Sequence, residues 1–149
     1  MDRQCKCGQQ MRLELRTIVA GNVHILHVPM RTCEGCSKYD LLPPIKPGLT
    51  DYMKDLVKEK RKRKISFTEV NEISEVIFEV LSQEESDCSI EIENAVKDAT
   101  NHRINLLLDL FKHAESIQDR SWVENLRHRL GQLSSLLVEF NREKATSYK

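Results

Sequence analysis

Residues 5–36 read CKCGQQMRLELRTIVAGNVHILHVPMRTCEGC, opening on Cys5-x-Cys7 and closing on Cys33-x-x-Cys36. Two pairs of thiols with 25 residues between them can offer four sulfurs to one tetrahedral Zn2+ from two short turns. The stretch between the pairs is strand-like. Arg12 to Ala20 and Val23 to Val28 are rich in β-branched and aliphatic residues, and Gly21-Asn22 between them accepts positive φ, so a β-hairpin is predicted. Leu13, Leu15, Thr17 and Val19 alternate onto one predicted face, with Val23, Ile25 and His27 as cross-strand companions. Pro29 is expected to end the second strand, and the hairpin returns the chain to Cys33. Gly8 after Cys7 and Gly35 inside the second pair let the backbone curl its amides toward sulfur.

The first pair has one residue between its cysteines where two are usual, and Gln4 stands where a further thiol would be expected. The ligand set at Cys5 and Cys7 therefore stays open, with His24 and His27 as substitutes. Residues 1–48 hold few large apolar side chains, so metal binding and folding of this segment are expected to be one event. Two disulfides are the competing reading and need an oxidising compartment. The chain opens on Met1-Asp2-Arg3-Gln4 with no apolar signal segment, and no later stretch is long enough to cross a membrane, which makes the cytoplasm the expected location. Cys88, without a nearby partner in sequence, reads as a plain thiol in an acidic loop.

Cys-x-Cys-Gly at 5–8, Met11, the hairpin, Val28-Pro29, Cys33-Glu34-Gly35-Cys36 and the pair Tyr39-Asp40 together resemble the YgiT-type zinc finger at the N-terminus of MqsA-like antitoxins. The resemblance covers about a third of the chain. It implies a zinc module that grips a partner protein. Such antitoxins usually continue into a helix-turn-helix domain, and its short-helix, glycine-turn, recognition-helix pattern is not found after residue 48.

Pro43-Pro44-Ile45-Lys46-Pro47-Gly48 is expected to forbid regular structure and to mark a boundary. From residue 49 onward there is one glycine and no proline, the composition of helices. The fold class read from the chain is α+β: a small β-hairpin zinc-binding domain over 1–48, then a helical domain over 49–149 with charged helices at 50–82 and a long antiparallel helical hairpin at 90–146. Thr50 or Asp51 can cap a first helix running to about Lys64, with Tyr52, Met53, Leu56 and Val57 inward. Ser66-Phe67-Thr68-Glu69 reads as a capping box for a second helix with Phe67, Val70, Ile73, Ile77 and Leu81 on its apolar stripe. Gln83 to Ser89 reads as a loop. Val96, Ala99, Leu107, Leu110, Ala114 and Ile117 mark a third helix, with Arg103 where an apolar residue is due. Ser121 with Glu124 is a second capping box, before Trp122, Leu126, Leu130, Leu133, Leu137 and Phe140. Leu106, Leu108, Leu136 and Val138 lie off these stripes, so packing on the other helices competes with homodimerisation.

The net charge is zero but unevenly spread. Six of the seven residues from 58 to 64 are basic (Lys58, Lys60, Arg61, Lys62, Arg63 and Lys64), whereas residues 65–95 carry nine carboxylates and no lysine or arginine. The basic run can grip nucleic-acid phosphates, neutralise the acidic second helix, or form a solvated face. Four cysteines describe a closed metal site, and no His-Glu-x-x-His, glycine-rich phosphate loop or nucleophile elbow occurs, so enzymatic activity is not expected. The leading reading is a non-enzymatic regulatory or adaptor protein that uses Zn2+ and binds a protein partner. The alternative is a DNA-binding transcriptional regulator using residues 58–64.

Overall fold

In a computed structural model, residues 4–83 and 88–146 are described, the side chains of 143–146 excepted. The chain runs β1 (Met11–Ala20), β2 (Val23–Cys33), β3 (Tyr39–Leu41), α1 (Lys46–Leu56), β4 (Arg63–Ser66), a 3-10 turn (Phe67–Glu69), α2 (Glu72–Gln83), α3 (Ser89–Ser116) and α4 (Arg120–Thr146). This is an α+β fold. The hairpin forms where expected, with Gly21 at φ 60° in its two-residue turn and Ala20 opposite Val23. β2 is the hub of the sheet. Along one edge it pairs with β1, and along the other it pairs parallel with β4 through Val23–Leu26 and antiparallel with β3 through Met30–Thr32.

One extra residue in β2 breaks the expected alternation. Arg16 pairs with Val28 and Ile18 with Ile25, which leaves Leu26 and His27 opposite Thr17, and His27 sits at φ 62°. Such a bulge reverses which positions face inward. Leu13 and Ala20 are therefore both buried and Ile18 packs against the core, while Thr17 and Val19, expected on one face with Leu13, are exposed. Beyond the bulge β2 continues through Pro29, paired with Leu15, as far as Cys33.

The proline-rich segment does not stay irregular. Pro47 lies in the first turn of α1, where its missing amide has no intrahelical acceptor to lose. Thr50 and Asp51 are thus interior to α1 rather than its cap. The helix also stops early, at Leu56, leaving Val57 exposed, and the basic run continues as a turn into β4 instead of extending a helix to Lys64. The charged helices expected over 50–82 are a helix, a strand and a helix. Ser66 caps only the 3-10 turn, its Oγ accepting from the Thr68 amide at 3.4 Å. Asn71 caps α2 instead, its Oδ1 accepting from the Ser74 amide at 3.0 Å, and Val70 is left exposed. At α4 the same displacement recurs, with Asp119 Oδ1 accepting from the Trp122 amide at 3.1 Å in place of Ser121. The loop expected between α2 and α3 falls mostly outside the described residues.

One hydrophobic cluster crosses residue 48, joining Leu13, Ile25, Val28 and Met30 of the sheet to Leu49, Phe67, Ile73, Ile77, Val96, Leu136 and Phe140. Leu136, expected off the stripe, is fully buried there, within the cluster that the sheet shares with α2 and α3. A second cluster closes the α3–α4 hairpin through Leu107, Ala114, Leu126 and Leu133, with Val76 of α2 added. Arg103 interrupts the apolar repeat because it reaches Glu72 at 2.9 Å, Glu75 at 3.6 Å and Glu79 at 2.8 Å on α2. Arg129 of α4 meets the same Glu72 at 2.9 Å. The carboxylates of α2 are therefore neutralised by α3 and α4, not by the basic run.

Two further contacts tie helices to β2. The buried Arg31 side chain donates to Glu93 Oε1 on α3 at 3.0 Å, and Ser74 Oγ donates to the His27 carbonyl at 2.6 Å. No helix among the described residues is long and apolar enough to cross a membrane.

Candidate metal centre

Two tight turns meet at the end of the hairpin remote from Gly21-Asn22. In the first, Gln4 pairs with Gln10, the Cys5 amide donates to the Gln9 carbonyl at 2.8 Å and the Gly8 amide to the Cys5 carbonyl at 2.9 Å. Gly8 stands at φ 94°, a value that side chains with a Cβ resist. In the second turn the Cys33 amide donates to the Lys38 carbonyl at 2.7 Å, with Ser37 at φ 61°. A Cβ on Gly35 would lie 2.7 Å from Gln9 Cγ and 3.6 Å from Cys7 Sγ, so the two turns press together at this glycine.

The four sulfurs of Cys5, Cys7, Cys33 and Cys36 all lie within 4.8 Å of one another, the group of metal-ligating side chains found among the described residues. Two close separations run between turns, Cys5 to Cys36 at 3.5 Å and Cys7 to Cys33 at 3.4 Å. A tetrahedral ion with metal–sulfur bonds of about 2.3 Å sets its sulfurs about 3.8 Å apart, so a few tenths of an ångström of outward relaxation would admit it. A disulfide needs about 2.05 Å, and all four cysteines carry free thiols. His24 and His27 do not join the group. His24 lies exposed opposite Val19 near the hairpin turn, and His27 Nδ1 is 2.9 Å from Ser66 Oγ with its ring against Phe78.

Cys5 and Cys33 face inward, buried with Met11 in a small apolar cluster, while Cys7 and Cys36 are exposed. Backbone amides two residues further on serve three of the sulfurs: Gln9 for Cys7, Gly35 for Cys33 at 3.3 Å, and Lys38 for Cys36. The Cys36 amide, with the Cys7 sulfur and the Gly35 amide, overcomes burial and draws the Cys33 thiol down to about 6. For Cys7 the Gln9 amide pulls downward, but the bond to Cys33, burial and the other two thiols outweigh it and raise the group to about 11. Cys36 is raised in the same way, its Lys38 amide outweighed by Cys5 and Cys33. Crowded thiols resist shedding more than one proton, and a divalent cation removes that resistance by compensating the thiolates directly. The sequence marks the four cysteines, and its glycines at 8 and 35 mark amides turned toward sulfur, as the Gly35 amide is; that Gln9 and Lys38 supply the other donors carries no residue signature.

The six basic residues expected to contact nucleic acid lie elsewhere. Lys58, Lys60, Arg61 and Lys62 occupy the turn after α1, and Arg63 and Lys64 open β4, all exposed beside the hairpin turn. No protein-family model matches the chain, and neither a curated protein nor a solved structure matches it at a significant level.

Proposed function

We propose that this chain is a non-enzymatic, zinc-binding regulatory or adaptor protein that acts through a protein partner. Cys5, Cys7, Cys33 and Cys36 hold Zn2+, and the ion fixes the two turns at the end of the hairpin so that they present one surface. The helical hairpin supplies another or mediates self-association, and Leu106, Leu108, Ile117 and Val138 remain exposed on it. The observation that carries the reading is the convergence of four thiols within 4.8 Å of one another, with no other ligand type in the group among the described residues. Four sulfurs complete a tetrahedron, whereas catalytic zinc keeps one position for water or substrate. The similarity of the cysteine pattern and hairpin to the YgiT-type module supports a partner gripped as an antitoxin grips its toxin. A cytoplasmic location belongs to the same reading, since thiolate ligands must stay reduced.

Affinity purification from the source cell, with and without nuclease, tests it. A protein partner that survives nuclease is expected, and the Lys60, Arg61, Lys62 and Arg63 to alanine variant should retain it. Recovery of nucleic acid with no protein partner would overturn the reading.

A further inference from the structure

The fold removes one of the three readings of the basic run. The α2 carboxylates Glu72, Glu75 and Glu79, which could have neutralised it, are engaged by Arg103 and Arg129. Within the run Arg63 meets Glu59 at 3.4 Å, while Lys58, Lys60, Arg61, Lys62 and Lys64 are exposed without an ion pair among the described residues.

The backbone carrying these charges is held in place. Asn22 Nδ2 donates to the carbonyls of Glu59 at 3.4 Å and Lys60 at 3.3 Å, and the Arg63 amide donates to the Asn22 carbonyl at 3.2 Å. Parallel pairing with β2 then sets Lys64 beside His24, which itself lies beside Val19, in a lateral row of exposed residues across three strands. The cations thus stand on the rim of a sheet, and the ordering entropy of their backbone is already spent in folding.

We propose that this rim binds the phosphate backbone of duplex nucleic acid without reading its bases. Clustered lysine and arginine displace condensed counterions from a polyanion, and that release is the driving force. No aromatic side chain lies within residues 58–64 to stack on an unpaired base, which favours a duplex over a single strand. Neither does a helix carry the run, so nothing inserts into a groove, and contacts stop at the backbone. This goes beyond the adaptor reading and stands apart from it, because the cysteine turns lie at the opposite end of the hairpin.

Lysines on an edge strand also serve to repel other strands, and the two roles differ in what they predict. Fluorescence anisotropy with an end-labelled duplex of scrambled sequence, about 20 base pairs long, separates them on the full chain. Five phosphate contacts imply a slope of log affinity against log salt of about −4.5, and a loss of about 500-fold between 50 and 200 mM. Lys58, Lys60, Lys62 and Lys64 replaced together by alanine should lower the slope to about −1 with the thermal transition unchanged. Arginine at the same four positions should keep both affinity and slope. The proposal is overturned by absence of duplex binding at 50 mM salt, by an unchanged slope in the alanine variant, by tighter binding of a single strand of the same length, or by binding to phosphatidylserine vesicles with none to the duplex. Self-association of the alanine variant with no duplex binding by the parent chain would assign the run to edge protection instead.

Discussion

Glu72 joins three helices through one carboxylate. It sits in the first turn of α2, buried, and accepts from Arg103 of α3 at 2.9 Å and from Arg129 of α4 at 2.9 and 3.2 Å, while its own amide donates to Gln132 Oε1 at 2.9 Å. Removing one partner of a buried pair leaves the other charge uncompensated, at a cost of about 3–5 kcal/mol in the worst case. Arg103 retains Glu79 and Arg129 is partly exposed, so Glu72→Ala should cost less, about 2 kcal/mol, read as a lower urea midpoint. The caps offer a sharper contrast. Asp119→Ala removes the acceptor of the Trp122 amide and should cost about 1 kcal/mol, whereas Ser121→Ala, at an exposed side chain two residues on, should stay within about 0.5 kcal/mol. Equal losses at the two positions would mean that α4 starts elsewhere.

At the scale of elements, Gly131 is the weak point of α4. A Cβ there meets nothing within 4 Å, so the residue marks no close helix crossing, and Gly131→Ala should raise stability by about 1 kcal/mol in denaturant unfolding. The helices were the most legible part of the sequence, since a repeat of three and four sustained over more than 25 residues admits one structure, and the buried positions Val96, Leu107, Leu126, Leu133 and Phe140 fall on the expected stripes. Ends were less legible because Ser66 and Ser121 satisfy the capping pattern as well as Asn71 and Asp119 do, and only tertiary contact decides among them. The bulge at Leu26-His27 leaves no mark in residue type, so the inward face of β1 after Arg16 could not be read. Strand β4 was hidden for a different reason. Arg63-Lys64-Ile65-Ser66 has the composition of a helix end or a solvated turn, and it becomes a strand because β2 offers it an unpaired edge, a property of the sheet rather than of those four residues.

For the whole molecule, the question is how much of the fold depends on metal. The hairpin, read alone, lacks a core, which made folding of residues 1–48 and metal binding look like one event. In the fold the hairpin is not alone: Leu13, Ala20, Val23, Ile25, Val28 and Met30 share a cluster with Ile77, Val96, Leu136 and Phe140. The four thiols stand at the far end, where Cys5 and Cys33 form a separate small cluster with Met11. Stripping the proposed zinc should therefore melt the turns around Cys5–Cys7 and Cys33–Cys36 and lower the thermal midpoint, but leave the helices and the half of the hairpin nearest Gly21 in place. Metal analysis of the purified chain should find one zinc, and a chelator should leave most of the far-ultraviolet helical signal while amide exchange rises at Cys5, Gly8 and Cys33, whose backbone hydrogen bonds close the turns. Cys33→Ser should reproduce that local pattern without chelator, because it removes one sulfur of the proposed site and the acceptor of the Gly35 amide in the second turn. Collapse of the helical signal on chelation would show instead that the metal site and the shared core unfold as one unit, and that the cluster from Leu13 to Phe140 cannot hold without the ion.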